Sequence, residues 1–253
     1  MLELTARKQG ERAFHNARFE TERSDSRTRL DKWYGAADAG LRLQNELIRD
    51  AARGARVLEY GCADGRLSLL EEKFALHAKR FCGIDISDCA IERARETAAS
   101  LGLDHCDFAT MDAENMGFEA NAFDLVYGRG IIHHLDLKRA FSEIQRVLRP
   151  AGRAIFLEPM GHNPLINRFR QRTPEMRTPD EHPLLVRDFD LAREYFRRVE
   201  TRYFGLTTLG VVAITNDGDG GWLMRTCEAV DDLVLKLPGV GPNAWMVLMT
   251  MTK

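Results

Sequence analysis

The chain has 253 residues, 44% hydrophobic and 29% charged, which is enough apolar material to bury a full core. A formal net charge of −2 gives no overall basic field, so nucleic acid is not an expected partner. No apolar run approaches the ~18 residues of a membrane span, and the polar start "MLELTARKQGERAFHNARFETERSD" has no secretory signature, so a cytoplasmic protein with no membrane partner is expected.

Residues 9–52 are expected to be helical, with Gly54 as the stop. From there the pattern alternates. "ARVLEY" (55–60) reads as a strand and "GRLSLLEEKFALHA" (65–78) as a helix. "RFCGIDI" (80–86) is the next strand, followed by the helix "SDCAIERARETAASLG" (87–102) with Ser87 as its N-cap and Gly102 at its end. "CDFATMD" (106–112) and "AFDLVYGRG" (122–130) are strands, "LKRAFSEIQRVLRP" (137–150) a helix stopped by Pro150, and "GRAIFLEP" (152–159) a fifth strand. Such alternation predicts βαβ units with right-handed crossovers: an α/β, Rossmann-like, doubly wound and mostly parallel sheet.

The alternation breaks at "MGHNPLINRFRQRTPEMRTPDEHPLL" (160–185), which holds four of the eight prolines and is expected to be an inserted lid or wall. A helix (186–198), a strand (199–206), a flexible loop "NDGDGG" (216–221), a helix (221–238) and a closing strand (244–251) complete a seven-stranded sheet. The last strand is expected to run antiparallel at the sheet edge. The expected organisation is one domain over 1–253: an N-terminal helical lid (1–54), a cofactor-binding core (55–159), the insertion (160–185) and the second half of the sheet (186–253). Five cysteines without a C-x-x-C pair read as reduced, mostly core thiols.

In an open α/β sheet a ligand sits at the carboxyl ends of the strands, beside the first βα turn. Here that turn is Glu59-Tyr60-Gly61-Cys62-Ala63-Asp64-Gly65. A pyrophosphate cradle needs G-x-G-x-x-G and bare amides, whereas this loop spaces its glycines four apart and puts Asp64 where phosphate would be repelled. Asp85 ends the second strand, 20 residues after Gly65, where a carboxylate meets ribose hydroxyls; Asp112 ends the third. Four carboxylates around one crevice suit an adenosine that carries cationic groups and no phosphate, and they argue against NAD.

At these residues the sequence resembles class I methyltransferases that use S-adenosyl-L-methionine (SAM), of the small-molecule type related to the ubiquinone and menaquinone methyltransferases. "VLEYGCADG", "GIDIS", "ATMDAENMGFEANAFDLVYGRGIIHHL" and "RVLRPAGRAIFLEP" follow the order and spacing of that family's motifs over roughly residues 30–190. The resemblance implies that Gly61 and Gly65 permit close backbone approach and that the Cys62 carbonyl meets the methionyl ammonium. It implies further that Asp85 takes the ribose diol, Ile86 packs on adenine, Asp112 and the Ala113 amide read the adenine edge, and Gly128 lies by the methionyl portion. Glu59 is expected to face the cavity, with a strand-end acid as the alternative. In "KWYG" (32–35), Tyr34 beside Trp33 is expected to cover the cofactor, with packing as the alternative.

Methyl transfer from a sulfonium is an in-line displacement, so orientation and water exclusion carry most of it. A base is needed only where the acceptor's proton leaves late. His133 and His134, in "GIIHHLD", are the candidate catalytic residues; the alternative is a histidine that pins the loop. Arg129, Glu158, His162 and Asn163 are expected around the acceptor, with the methionyl carboxylate or an outward surface position as the alternatives for Arg129. The arginines of the insertion suit an anionic acceptor, with a solvated helix face as the alternative. No metal is expected: "NDGDGGW" puts Trp222 where a calcium loop needs Gly, and the adjacent histidines at a strand end do not converge on one ion. The leading function is SAM-dependent methyl transfer to a small molecule of quinone-like or specialised metabolism. The alternatives are SAM chemistry without methyl transfer, as cyclisation or lysis releasing methylthioadenosine, and a non-catalytic SAM-binding protein. The sequence does not set the oligomeric state.

Overall fold

A computed structural model describes residues 6–20, 33, 35–173, 181–215 and 221–253. Seven strands form one sheet: β1 (Arg56–Tyr60), β2 (Arg80–Asp85), β3 (Cys106–Thr110), β4 (Phe123–Arg129), β5 (Leu148–Pro159), β6 (Arg198–Phe204) and β7 (Met246–Thr252), in the order β3-β2-β1-β4-β5-β7-β6. β1, β2, β3, β4 and β5 pair in parallel. β1 and β4 read as continuous apolar runs because both faces are covered. The strand order reverses between β1 and β4, and in open α/β sheets ligands bind beside such a reversal, at the carboxyl ends of the strands.

The described α-helices are α1 (Ala6–Glu20), α2 (Asp38–Ala52), α3 (Asp88–Ser100), α4 (Leu137–Val147), α5 (Pro164–Arg172), α6 (Val186–Tyr195), α7 (Thr208–Ile214) and α8 (Gly221–Val234). α2 and α3 bury Ile48, Ala52, Ile91 and Ala94 against one sheet face. α4 and α6 bury Phe141, Ile144, Val147 and Phe189 against the other. Each such large side chain contributes roughly 1.5–3 kcal/mol by leaving water. Ser87 caps α3, its hydroxyl accepting from the Ala90 amide, and Gly102 follows that helix at φ +66°. No helix among the described residues is long and apolar enough to cross a membrane. All five thiols are free; Cys62 and Cys82 are buried and the other three half-buried.

Three expectations need correction. Residues 65–78 do not form one helix but a π-turn (Leu67–Glu71) and a 3₁₀ turn (Phe74–His77), separated by Lys73 at φ +57°. Ser68 and Leu69 are buried, and so are Phe74 and Ala75. That spacing does not keep both pairs on one face of a 3.6-residue helix, so the helix breaks to bury both. The last strand is antiparallel as expected, yet it is not an edge. β7 lies between β5 and β6, pairing antiparallel with each. β6 is the edge, and its alternating exposure with Arg198, Glu200 and Arg202 facing solvent is the charged blunting an edge strand requires. α4 also ends at Val147, three residues before Pro150, which lies in β5.

Candidate functional site

The first βα loop folds back onto β2. The amides of Gly61 and Cys62 both donate to the Ile84 carbonyl at 2.9 Å, and the Gly65 amide donates to the Cys62 carbonyl at 2.9 Å. Gly61 and Gly65 stand at φ +76° and +69°, which side chains rarely adopt. This tight turn aims the Ala63 amide at Asp85 Oδ2 (2.9 Å), while the Ser87 amide holds Oδ1 (2.9 Å). Asp85 is therefore an oriented carboxylate at the strand tip, and each oxygen keeps a further acceptor site. Ile86 follows it, half-buried.

At the tip of β3, Asp112 Oδ1 accepts from the Glu114 amide at 2.9 Å and Oδ2 from the Lys8 ammonium, which also reaches Glu114 at 3.0 Å. Arg7 donates to Glu114 and to the His134 carbonyl. Burial pushes the Glu114 carboxyl up, but the Asp136 amide, Lys8 and Arg7 outweigh it and hold the group below its ordinary value. Farther along α1, Arg12 and Asn16 hold Asp88, and Ser87 Oγ donates to Asn16 at 2.7 Å. α1 thus spans the acidic rim from His134 to Asp88. Tyr60 donates to the Ala113 carbonyl at 2.5 Å. A cleft of about 380 Å³ beneath α1 is lined by Arg7, Lys8, Arg139, His182, Glu114 and Asp136, apart from the loop at 61–65.

Glu59 is buried beneath the loop, where Ser68 Oγ donates to it at 2.7 Å. Burial lifts its carboxyl to about 7. Arg129 bonds Gln44 at 2.8 Å and Asn45 at 2.5 Å on α2, and the Gln44 amide donates to the Gly128 carbonyl at 2.8 Å. Burial pulls its guanidinium below the ordinary value. A Cβ on Gly128 would stand 2.6 Å from the Tyr60 carbonyl, so the glycine lets β4 and β1 approach.

The histidine pair lies on a 3₁₀ turn (Ile132–His134) rather than on a strand. Glu158, wholly buried at the end of β5, accepts from the amides of Ile131 (3.0 Å) and Ile132 (3.1 Å) and meets His133 Nδ1 at 2.7 Å. His133 Nε2 then faces Glu181 at 3.7 Å. The two rings stand 4.1 Å apart, and burial followed by the charge of His133 lowers His134 to about 3. His162 is exposed, its Nε2 accepting from the Val186 amide at 3.1 Å. Asn163 caps α5 and donates to the Asn243 carbonyl at 2.8 Å. Glu158 and Asn163 are thus committed to holding the backbone. Tyr34 lies outside the described residues; Trp33 packs at a tilt against Phe169, ring centroids 6.2 Å apart.

Sequence reasoning missed the α1 contacts, Gln44 and Glu181. For α1 a signal exists: Lys8, Arg12 and Asn16 recur every four residues, one polar stripe on a helix. Gln44 and Glu181 carry no such pattern.

A family model described as a methyltransferase domain matches residues 51–198, more than half of the chain. The protein therefore belongs to the methyltransferase-domain family. It is 34% identical over 141 residues to the aklanonic acid methyltransferase DauC of Streptomyces sp. (strain C5), covering 54% of this chain and 60% of that one. It is 34% identical over 107 residues to the demethylmenaquinone methyltransferase of Symbiobacterium thermophilum, covering 42% and 43%. The matched stretch is thus about half the length of these relatives. A geranyl diphosphate methyltransferase solved in complex with SAM shares the fold, with a TM-score of 0.56 at 16% identity, covering 83% of this chain and 84% of that one.

Proposed function

We propose that the protein is an enzyme transferring the methyl group of SAM to a small-molecule acceptor. Family membership supports the reaction class, and the relatives named above support an acceptor of specialised or quinone-like metabolism; an anionic acceptor and a cytoplasmic location belong to the same proposal. The observation that carries the reading is the loop at 61–65 folded onto an amide-oriented Asp85. The donor set fits the cofactor chemically. Asp85 offers acceptors to a diol, and the Asp112–Glu114 pair already receives an N–H donor from Lys8, as it would from an exocyclic amine. No phosphate-binding arrangement of bare loop amides competes, because the Gly61, Cys62, Ala63 and Gly65 amides are all engaged.

In this reading Gly61, Cys62, Gly65, Gly128 and Glu59 shape the methionyl end, and Asp85, Ile86, Asp112 and Ala113 hold the nucleoside. When bound, the cofactor supplies an electrophilic methyl on a sulfonium. The chain's own part is orientation and exclusion of water, with α1 (in the lid at 1–54) and the insertion (160–185) as covers over the core. Such positioning supplies about 7–11 kcal/mol of a barrier. His133 and His134 form the polar end on the acceptor side with Glu158 behind them; His162, Asn163 and Arg129 border it. A ring lowered to about 3 holds a proton poorly at neutral pH, so His134 is a weak general base.

Titration calorimetry with SAM, followed by mass spectrometry of an acceptor panel, tests the proposal. Saturable binding and a methylated product are expected. Asp85→Ala should weaken SAM binding by about 1.5–3 kcal/mol, roughly 10–150-fold, through lost bonds to a charged group. Unchanged affinity in that variant removes Asp85 from the site, and absence of SAM binding in the wild type overturns the reading.

A further inference from the structure

Four of the seven histidines gather where α1, the turn at 132–134 and the segment entering α6 meet. His15 stands 6.3 Å from the His134 ring, His133 touches His134, and the His182 amide donates to the His133 carbonyl at 2.9 Å. Within this cluster one nitrogen from each of His133 and His134 and one carboxylate oxygen of Glu181 lie within 4.8 Å of one another. We infer that His133, His134 and Glu181 bind a divalent transition-metal ion of the zinc class.

Three features carry it. The ligand chemistry is right: two imidazoles and one carboxylate are a set that zinc-class ions take, leaving open positions for an oxygen ligand. Ligands about 2.0–2.2 Å from such an ion stand roughly 3.4 Å apart at the tetrahedral angle. His133 Nε2 and Glu181 Oε1 are already 3.7 Å apart.

The outer shell is also present. Glu158 holds His133 Nδ1, which turns Nε2 toward Glu181, the arrangement by which a carboxylate fixes a metal-binding histidine. Glu158 is itself fixed by two backbone amides, and the chain just after Glu181 is fixed by the His182–His133 and Leu184–Pro159 backbone bonds. Last, the ligands are shielded: His133, His134 and Glu181 side chains are 7, 18 and 13% exposed. A cation there would offset the carboxylates gathered at Glu158, Glu181 and Glu11. The expectation that an adjacent pair cannot serve one ion assumed a strand, where neighbours point to opposite faces; the 3₁₀ turn removes that obstacle.

The inference rests on the proposed reading only in what the ion does, which is to receive an acceptor oxygen and lower its pKa. Its test uses neither cofactor nor acceptor. The chelator-treated full chain is titrated with Co²⁺, followed by visible absorption and calorimetry. One ion per chain is expected, with ligand-field bands and no thiolate charge-transfer band, which excludes binding by the five free cysteines. Glu158→Gln should weaken binding about 10–100-fold as an outer-shell loss. Glu181→Gln and His134→Gln should weaken it more, with unchanged thermal melting of the apoprotein showing that each variant is folded. No binding at about 100 µM Co²⁺, or equal affinity in a folded Glu181→Gln variant, overturns the site, and SAM binding measured separately remains interpretable in either case.

Discussion

Glu59 lies under the glycine loop, and its desolvation has a cost that depends on pH. Burial lifts its carboxyl from 4.5 to about 7, while the Ser68 hydroxyl and the Arg129 charge offset only part of that rise. The folded chain therefore keeps a proton that the unfolded chain releases between those values. Its contribution is fully present below about pH 4.5 and is lost as pH rises through about 7. Glu59→Gln is expected to flatten thermal stability between pH 5 and 8, measured as melting temperature against pH beside the wild type. An unchanged slope would show that Glu59 is ionised throughout. Glu59, Asp85 and Asp112 were legible as acids at neighbouring strand ends because parallel strands bring those ends to one sheet edge. Which hydrogen bonds each makes was not, because Ser68, Ala63 and Lys8 reach them through the loop and a distant helix.

α1 and α7 show how an element acquires its place from residues far away in sequence. α1 sets Lys8 between Asp112 and Glu114, so in the proposed reading an adenine amine at Asp112 would compete with that ammonium. Lys8→Met is expected to tighten SAM binding several-fold in calorimetry; weaker binding would mean that Lys8 supports the site rather than contests it. α7 has no capping side chain of its own at Thr207. Instead Asp231, buried on α8, accepts from the Leu206 and Thr207 amides at 2.9 and 2.8 Å and from the Thr207 hydroxyl at 2.7 Å. Asp231→Ala orphans these donors at ~1–3 kcal/mol each, and a loss of about 3 kcal/mol is expected in urea unfolding. A change under about 0.5 kcal/mol would show that water replaces the carboxylate. This helix escaped sequence reading because its cap lies more than twenty residues downstream.

The sheet as a whole depends on its last strand. β7 pairs over seven positions with β5 and over seven with β6, so the hydrogen-bonded sheet runs from the parallel half to the edge strand through it. Ending the chain at Ala244 would strip both ladders and expose the buried Val247, Leu248, Met249 and Met251 partners. Such a chain is expected to lose cooperative thermal unfolding by circular dichroism; a sharp native-like transition would refute this role. The position was in fact written in the apolar run "MVLMTM" beside the alternating "RVETRYF": a strand apolar on both faces belongs inside a sheet, and one charged on every second residue belongs at its rim.

From sequence alone came the alternation of strands and helices, the glycine turn and the acids at the strand tips. These follow from local periodicity, backbone freedom and charge, which neighbouring residues decide among themselves. The Lys8 contact with the acidic rim, the Asp231 carboxylate at the start of α7 and the meeting of His133 and His134 with Glu181 were settled only in three dimensions. Each joins segments far apart in the chain, and burial, pairing and desolvation there depend on what the fold brings opposite, which no local pattern records.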